Sequence, residues 1–320
     1  MCYSDPMQFQ ERDGAVLFAI YTHDGVLARR HLTSMFWPGA SLRAAQKRLA
    51  KLVNNGYLAR PTPEQRRTQP ISEPVYWLDW RGILWIAGQH GLAVKPPAGL
   101  GENQMRGLAK RARQRGLHWL REPRWNQLGH DLAVVDFHLD VEQSLDQLPN
   151  LILEGWTYES AFRADGDLVT YFLPDHHGHP KKEARHIYPD SYFVIVSQDR
   201  SSQGLTARAR LLMEFDNATH SNSRFGREKV VPGIAYIRSE SYRARFGDNS
   251  GRWLVVTTGS RRMRNLMQQT RQMAGSSAGT FLFTTVDRTK GTNVLTDPVW
   301  HRVGTEQPVA LFASRQKGME

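Results

Sequence analysis

The chain has 320 residues, 40% of them apolar and 23% charged, the composition of a soluble globular protein long enough for two ordinary cores. No apolar stretch reaches the roughly 20 residues that span a bilayer, the opening MCYSDPMQFQERDG lacks the pattern of a signal peptide, and the single cysteine, Cys2, excludes an internal disulfide or a cysteine zinc cluster. A reducing, cytoplasmic setting without a membrane partner is therefore expected. The net charge of +11 is unevenly placed: residues 1–130 hold 19 Lys+Arg against 9 Asp+Glu, and the remainder 23 against 22. That asymmetry points to a polyanion-binding N-terminal part joined to a near-neutral domain.

In chain order, DGAVLFAIYTHDGV (13–26) has apolar residues at helical spacing, with Asp13 as a cap. ARRHLTSMFWPG (28–39) reads as a short second helix stopped by Pro38-Gly39. Ser41 then caps SLRAAQKRLAKLVNNG, a third helix ending at Gly56. Its apolar stripe is Leu42, Ala45, Leu49, Leu52 and Val53, while Arg43, Gln46, Lys47 and Lys51 fall on other faces. YLARP (57–61) and PVYWLDW (74–80) are strand-like and flank a basic loop that carries Arg66 and Arg67.

Helix, helix, basic helix and hairpin is the order of a winged helix-turn-helix, whose third helix enters the major groove and whose wing touches the backbone. Arg43, Gln46 and Lys47 are then placed to reach base edges of double-stranded DNA, with Lys51 one turn on, and Arg66 and Arg67 to contact phosphate. The plainer alternative is a solvated amphipathic face, and winged helices also serve as protein-interaction modules. WRGILWIAGQHG (80–91) closes this domain, taken as 10–92. Residues 93–125 form a basic linker: AVKPPAGLGE first, then a helical segment with Arg106, Lys110, Arg111, Arg113, Arg115, Arg121 and Arg124. That segment either adds salt-sensitive phosphate contacts or is a solvated connector.

Residues 126–305 read as a second domain of α+β type, followed by a tail at 306–320. A helix from Gln127 buries Leu128, Leu132, Val135 and Leu139, with His130 as a packing residue beside them. Strands are expected at 151–160, 167–173, 186–196 and 207–216. A helix at 227–246, with Pro232 near its start or at a kink, leads to strand 252–258, helix 259–273 and strand 280–286. Such an order describes a mixed sheet flanked by helices. His176, His177 and His179 lie in DHHGHPKKEARH, which Gly178 and Pro180 mark as an exposed loop rather than a metal site. No glycine-rich phosphate loop, serine elbow or metalloprotease motif occurs.

Three carboxylate positions follow one another on these elements. Glu159 ends the first strand, Pro189-Asp190 opens SYFVIV, and Glu214 and Asp216 end RLLMEFD. The order resembles the signature of restriction-endonuclease-like nucleases, in which carboxylates hold Mg²⁺ or Mn²⁺ and a lysine two residues beyond the last glutamate assists the nucleophile. Here Asp216 stands at that lysine position, and Lys229 in the next helix is placed to act as a relocated lysine. Asp216 can equally cap the turn after its strand together with Asn217 and Thr219.

RDGAVLFAI, QKRLAKLVNNGYLAR, VYWLDWRGI, GHDLAVVDF, WTYES, YPDSYFVIV, LLMEFDNATHS with Lys229 and Tyr236, LVVTTGSRRMRNL and DPVWHR together resemble the replication-relaxation family of plasmids and other mobile elements. The resemblance covers roughly residues 10–305. It implies a winged helix followed by a restriction-endonuclease-like domain, with Asp190, Glu214 and Asp216 as metal ligands and Glu159 and Lys229 completing the centre. Three functions stay open on this reading. The first is duplex DNA binding in replication, mobilisation or transcriptional control, and the second is a metal-dependent nuclease or nickase. The third is a module that recruits a relaxase or replication protein. A homodimer on a palindromic site is compatible with all three, although no dimer interface is legible.

Overall fold

The computed structural model describes residues 7–92, 101–117, 119, 122–198, 207–218 and 221–312. Most of the expected linker at 93–102, Arg121, Thr219 and the end of the tail lie outside them. Among the described residues the fold is mixed α/β, and the chain divides into two compact units, 1–135 and 136–320.

In the first unit, α1 (Glu11–Thr22) starts two residues before Asp13, with Gln10 as its N-cap. Asp13 therefore sits inside the first turn rather than at the cap, where it accepts the Gln10 N–H at 2.8 Å. It is fully buried, and the Arg48 guanidinium neutralises it, with Nε 2.7 Å from Oδ1. Arg48 belongs to α3 (Leu42–Asn54), so this pair fixes α3 against α1. Between them, β1 (Val26–Ala28) occupies the junction between the two expected helices, 13–26 and 28–39, and α2 (Arg29–Phe36) follows directly. The break between the helices is made by Asp24 and Gly25, both in the left-handed region. β1 pairs antiparallel with β3 (Val75–Leu78), which pairs with β2 (Leu58–Ala59), giving the order β1-β3-β2. The hairpin loop is not irregular throughout. Thr62 caps a six-residue helix, α4 (Pro63–Thr68), that carries Arg66 and Arg67.

Helix α5 (Trp80–Gln89) packs beside α6 (Glu102–Gln114), and α7 (Leu128–Leu145) contains the division between the units. Leu128 and Leu132 join a core cluster with Val26, Val75 and Trp77. His130 lies beside Asp131, whose carboxylate is bridged by Arg124 at 2.6 Å.

The second unit is built on a six-stranded sheet of order β11-β10-β9-β8-β7-β4. Its strands are β4 (Leu151–Tyr158), β7 (Ser191–Ser197), β8 (Arg208–Asp216), β9 (Arg252–Thr257), β10 (Phe281–Thr285) and β11 (His301–Arg302). β4, β7 and β8 run antiparallel to one another, whereas β8, β9 and β10 are parallel. Parallel neighbours need crossover connections. The helical segment 222–246 supplies the first and helix Ser260–Ala274 the second. These helices cover one face through Phe225, Val230, Tyr236, Met263 and Leu266, which cluster with Leu212, Trp253 and Val255. Phe137 of α7 packs on Phe193 and Trp300.

One expected strand, 186–196, is in fact two. β6 (Pro180–Ile187) pairs with β5 (Asp167–Pro174) as a separate hairpin, and Tyr188-Pro189-Asp190 turns the chain into β7. The histidine-rich stretch is the tip of that hairpin. There the Asp175 carboxylate accepts the N–H groups of His177 and His179 at 2.8 and 2.9 Å.

The first crossover opens with helix Asn222–Phe225 and a π turn, Gly226–Val230, before helix Val231–Arg238. Pro232 has no N–H for the carbonyl of Glu228 four residues back. That carbonyl accepts instead from Arg185 at 3.3 Å. Gly226 is held tight against Gln269 and Met273, where a Cβ would come within 2.9 Å.

On α7, burial and the neighbouring Asp136 push the Asp140 carboxyl up to about 6. A carboxyl raised in the folded state adds stability at low pH and loses it as pH climbs through its folded value. Asp140→Asn is therefore expected to leave stability at pH 4 nearly unchanged and to raise it by about 1–2 kcal/mol at pH 8, as read by thermal melts across pH.

Candidate functional site

β8 is one of the two central strands of the sheet, and Leu211 to Phe215 are all buried. Alternation places Leu212, Glu214 and Asp216 on one face, the face that the crossover helices cover. Glu214 is only 8% exposed, so its charge needs a partner within the fold. Lys229, in the π turn, provides it: its Nζ stands 2.6 Å from Oε1 and 2.8 Å from Oε2.

Asp190 is 6% exposed and is fastened on either side of Glu214. Its N–H donates to the Met213 carbonyl at 3.0 Å, and its Oδ2 accepts the Phe215 N–H at 2.6 Å. The Asp190 carbonyl accepts the N–H of Glu159 at 3.0 Å. These bonds bring the end of β4, the Pro189-Asp190 turn and the end of β8 to one point. Burial opposes the charge on Lys229, but Glu214, then Asp190 and Glu159, hold its pKa above that of an ordinary lysine. The stability this contributes is complete at neutral pH and is lost only as pH rises through that elevated value.

Glu159 opens α8 (Glu159–Ala164) and pairs with Arg163, one turn on, at 2.6 Å. Asp216 does not join the group. Arg262 grips it with two bonds, Nε to Oδ2 at 2.7 Å and Nη2 to Oδ1 at 2.8 Å, and the Thr257 hydroxyl donates to Oδ2 at 3.0 Å. Arg262 also reaches Asn222 Oδ1 at 2.5 Å, so Asp216 ties β8 and β9 to the helices above them. Asp216, a metal ligand on the resemblance, here forms half of a bidentate ion pair and also accepts the Ala218 N–H at 3.3 Å in the turn after its strand. Among the described residues, Asp190, Glu214 and Asp216 do not form a group of three whose ligand atoms all lie within 4.8 Å of one another. The hard carboxylate oxygens of Asp190 and Glu214 suit Mg²⁺ or Mn²⁺, and those of Asp216 are already committed.

The first unit presents the basic residues. Ala45, Leu49 and Leu52 bury one side of α3, and the Ser41 hydroxyl caps it by accepting the Ala44 N–H at 3.3 Å. Leu42, expected in the buried stripe, is 48% exposed. Arg43, Lys47 and Lys51 are exposed and Gln46 is half-buried. Arg66 and Arg67 are exposed on α4. On α6, Lys110 and Arg111 face solvent. Arg106 pairs with Glu102 at 3.0 Å, and Arg113 stacks 4.4 Å over Trp119 while donating to its carbonyl at 2.9 Å.

A mixed α/β protein with a buried carboxylate–lysine group at the end of its central strand is thus defined. The model of the replication-relaxation family matches residues 17–245, and the chain belongs to that family. No curated protein and no solved structure matches it. The matched stretch contains Glu159, Asp190, Glu214, Asp216 and Lys229 and ends before Arg262.

Reading the sequence missed Arg262, Arg163 and the Asp13–Arg48 pair. The i, i+4 spacing of Glu159 and Arg163 was a usable signal. Arg262, 46 residues from Asp216, had none. Lys229→Met should remove the ammonium that neutralises Glu214 and cost about 2 kcal/mol, discounted because the lysine side chain is 37% exposed. Adding Glu214→Gln should recover most of that loss. Denaturant melts of the two single variants and the double variant check this, and additive losses would show the pair is not coupled.

Proposed function

We propose that this chain binds double-stranded DNA through a winged helix in its first unit and acts in replication or mobilisation of a plasmid or other mobile element. The observation that carries this reading is the division of α3. One side is buried as Ala45, Leu49 and Leu52, while Arg43, Lys47 and Lys51 stand exposed beside a hairpin that raises Arg66 and Arg67. The strand order β1-β3-β2 and the sequence of helices match a winged helix. Arg43, Gln46, Lys47 and Lys51 would read or line the major groove, and Arg66 and Arg67 would meet phosphate. Lys110 and Arg111 would add backbone affinity. Arg106 and Arg113, already engaged with Glu102 and Trp119, would add less.

In gel shifts at moderate salt, Arg43→Ala with Lys47→Ala should weaken duplex binding about tenfold or more, in keeping with the loss of two cationic major-groove contacts. Unchanged binding would favour recruitment of a relaxase or replication protein as the role of this unit.

A second reading is favoured by one observation, the Lys229 ammonium set against Glu214 next to Asp190. In it the second unit is a nuclease-like domain that nicks or cuts DNA. Asp190 and Glu214 would hold Mg²⁺ or Mn²⁺, which would stabilise charge on a phosphodiester and lower the pKa of a bound water. Lys229 would hold its proton and face the scissile phosphate, and Glu159 would position the group through the Asp190 backbone. Asp216 keeps a structural part only. Supercoiled plasmid incubated with Mg²⁺ or Mn²⁺ should then become nicked or linear, with Asp190→Ala losing at least about a hundredfold in rate. Cleavage that survives Asp190→Ala would assign the activity elsewhere.

A further inference from the structure

The surface between α3 and the hairpin is not flat. A cavity of about 540 Å³ lies there, lined among others by Gln46, Arg29, Arg60, Arg66 and Tyr76. The three arginines come from three places: the first residue of α2, the residue after β2, and α4. None of the three is paired with a carboxylate among the described residues. Glu73 is also at the lining, but Arg30 holds it in an ion pair. Tyr76, largely buried, lines the same cavity as the three cations. Burial raises its pKa, and Arg29, Arg60 and Arg66 all pull against that rise. Three unneutralised guanidinium groups around one hydroxyl repel each other, an arrangement that an anion relieves.

We propose that Arg29, Arg60 and Arg66, with the Tyr76 hydroxyl, form a socket for a phosphodiester group of the DNA backbone. The proposal rests on the DNA-binding reading and adds Arg29 and Arg60 to it. A phosphodiester carries two non-bridging oxygens that planar guanidinium forks engage bidentately. A base edge offers no charge to balance three cations. Position makes the same choice, because the cavity is walled by α3 on one side and the hairpin on the other, where a strand read by α3 would run. Gln46 and Ala50 of α3 line that wall. The socket would set the depth and register of α3 without reading sequence itself.

The test uses the full chain, a fluorescent duplex and a salt titration, with Arg60→Ala/Arg66→Ala as the main variant because both side chains are exposed. Arg29→Lys is the second variant, which keeps the charge and removes the fork. The double variant should flatten the slope of log affinity against log salt by about 1–2 and weaken binding to all duplex sequences by a similar factor, about tenfold or more near 0.1 M salt. Arg29→Lys should weaken binding with little change of slope. If wild type fails to bind any duplex, the DNA-binding reading itself falls. If wild type binds and the double variant keeps its affinity and slope, the socket alone falls. A loss confined to one preferred sequence would make these residues base readers and overturn the proposal. Inorganic phosphate or a mononucleotide that raises the melting temperature of wild type but not of the double variant, without competing with duplex, would assign the socket to a free anion instead.

Discussion

Two carboxylates two residues apart on the buried face of a central strand repel each other and lose their water together. The second unit resolves this by giving each its own cation from a different helical segment. Lys229 of the π turn neutralises Glu214, and Arg262 of the next crossover neutralises Asp216. Each crossover helix is thereby bound to the end of β8 by charge as well as by its apolar face. The Asp190 turn is laced to the backbone on both sides of Glu214, and Glu159 is laced to Asp190. Remove either cation and the charges at this end of the sheet must be protonated, hydrated or bridged by something else.

The two pairs differ in kind. Arg262 and Asp216 form a planar, bidentate contact with Thr257 and Asn222 closing the remaining directions, and such a pair is suited to holding elements in place. Lys229 is a flexible point charge, still 37% exposed, whose carboxylate partners are the hard oxygens a divalent cation prefers. One acidic residue of the strand therefore serves architecture, while its neighbour keeps a polar partner that chemistry can use. In the first unit the Asp13–Arg48 pair has the architectural part: it holds the basic helix α3 on α1, so that Arg43, Lys47 and Lys51 have a fixed outward direction.

Much of this was legible in the sequence where the signal is local. Ser41 at the start of α3, the helical spacing of Ala45, Leu49 and Leu52, and the apolar runs of β8, β9 and β10 depend on neighbours a few residues away. What was not legible depends on tertiary placement. β1 falls at the junction of two expected helices, where VLA fits a helix end as well as a strand, and only pairing with β3 decides. The 186–196 run reads as one strand because Pro189 interrupts it at a single residue, yet β6 and β7 belong to different sheets. Lys229 could be placed near the carboxylates from its residue type and its position in the next helix, and it pairs with Glu214. The pairing of Asp216 with Arg262 could not be anticipated, because Arg262 lies a whole crossover away.

The π turn at Gly226–Val230 has a consequence for how such a centre changes over time. A wide turn carries one residue more than an α-helical turn, so the length of this turn sets the angular position of Lys229, and Arg185 bonds the Glu228 carbonyl within it. Loss of one residue from the turn would swing everything before it by about 100° relative to the helix after it. A lineage could switch the ammonium away from Glu214 by a single codon deletion, with every acidic residue of the strand left untouched. Comparing only the carboxylates would not register the difference, whereas the length of this turn would.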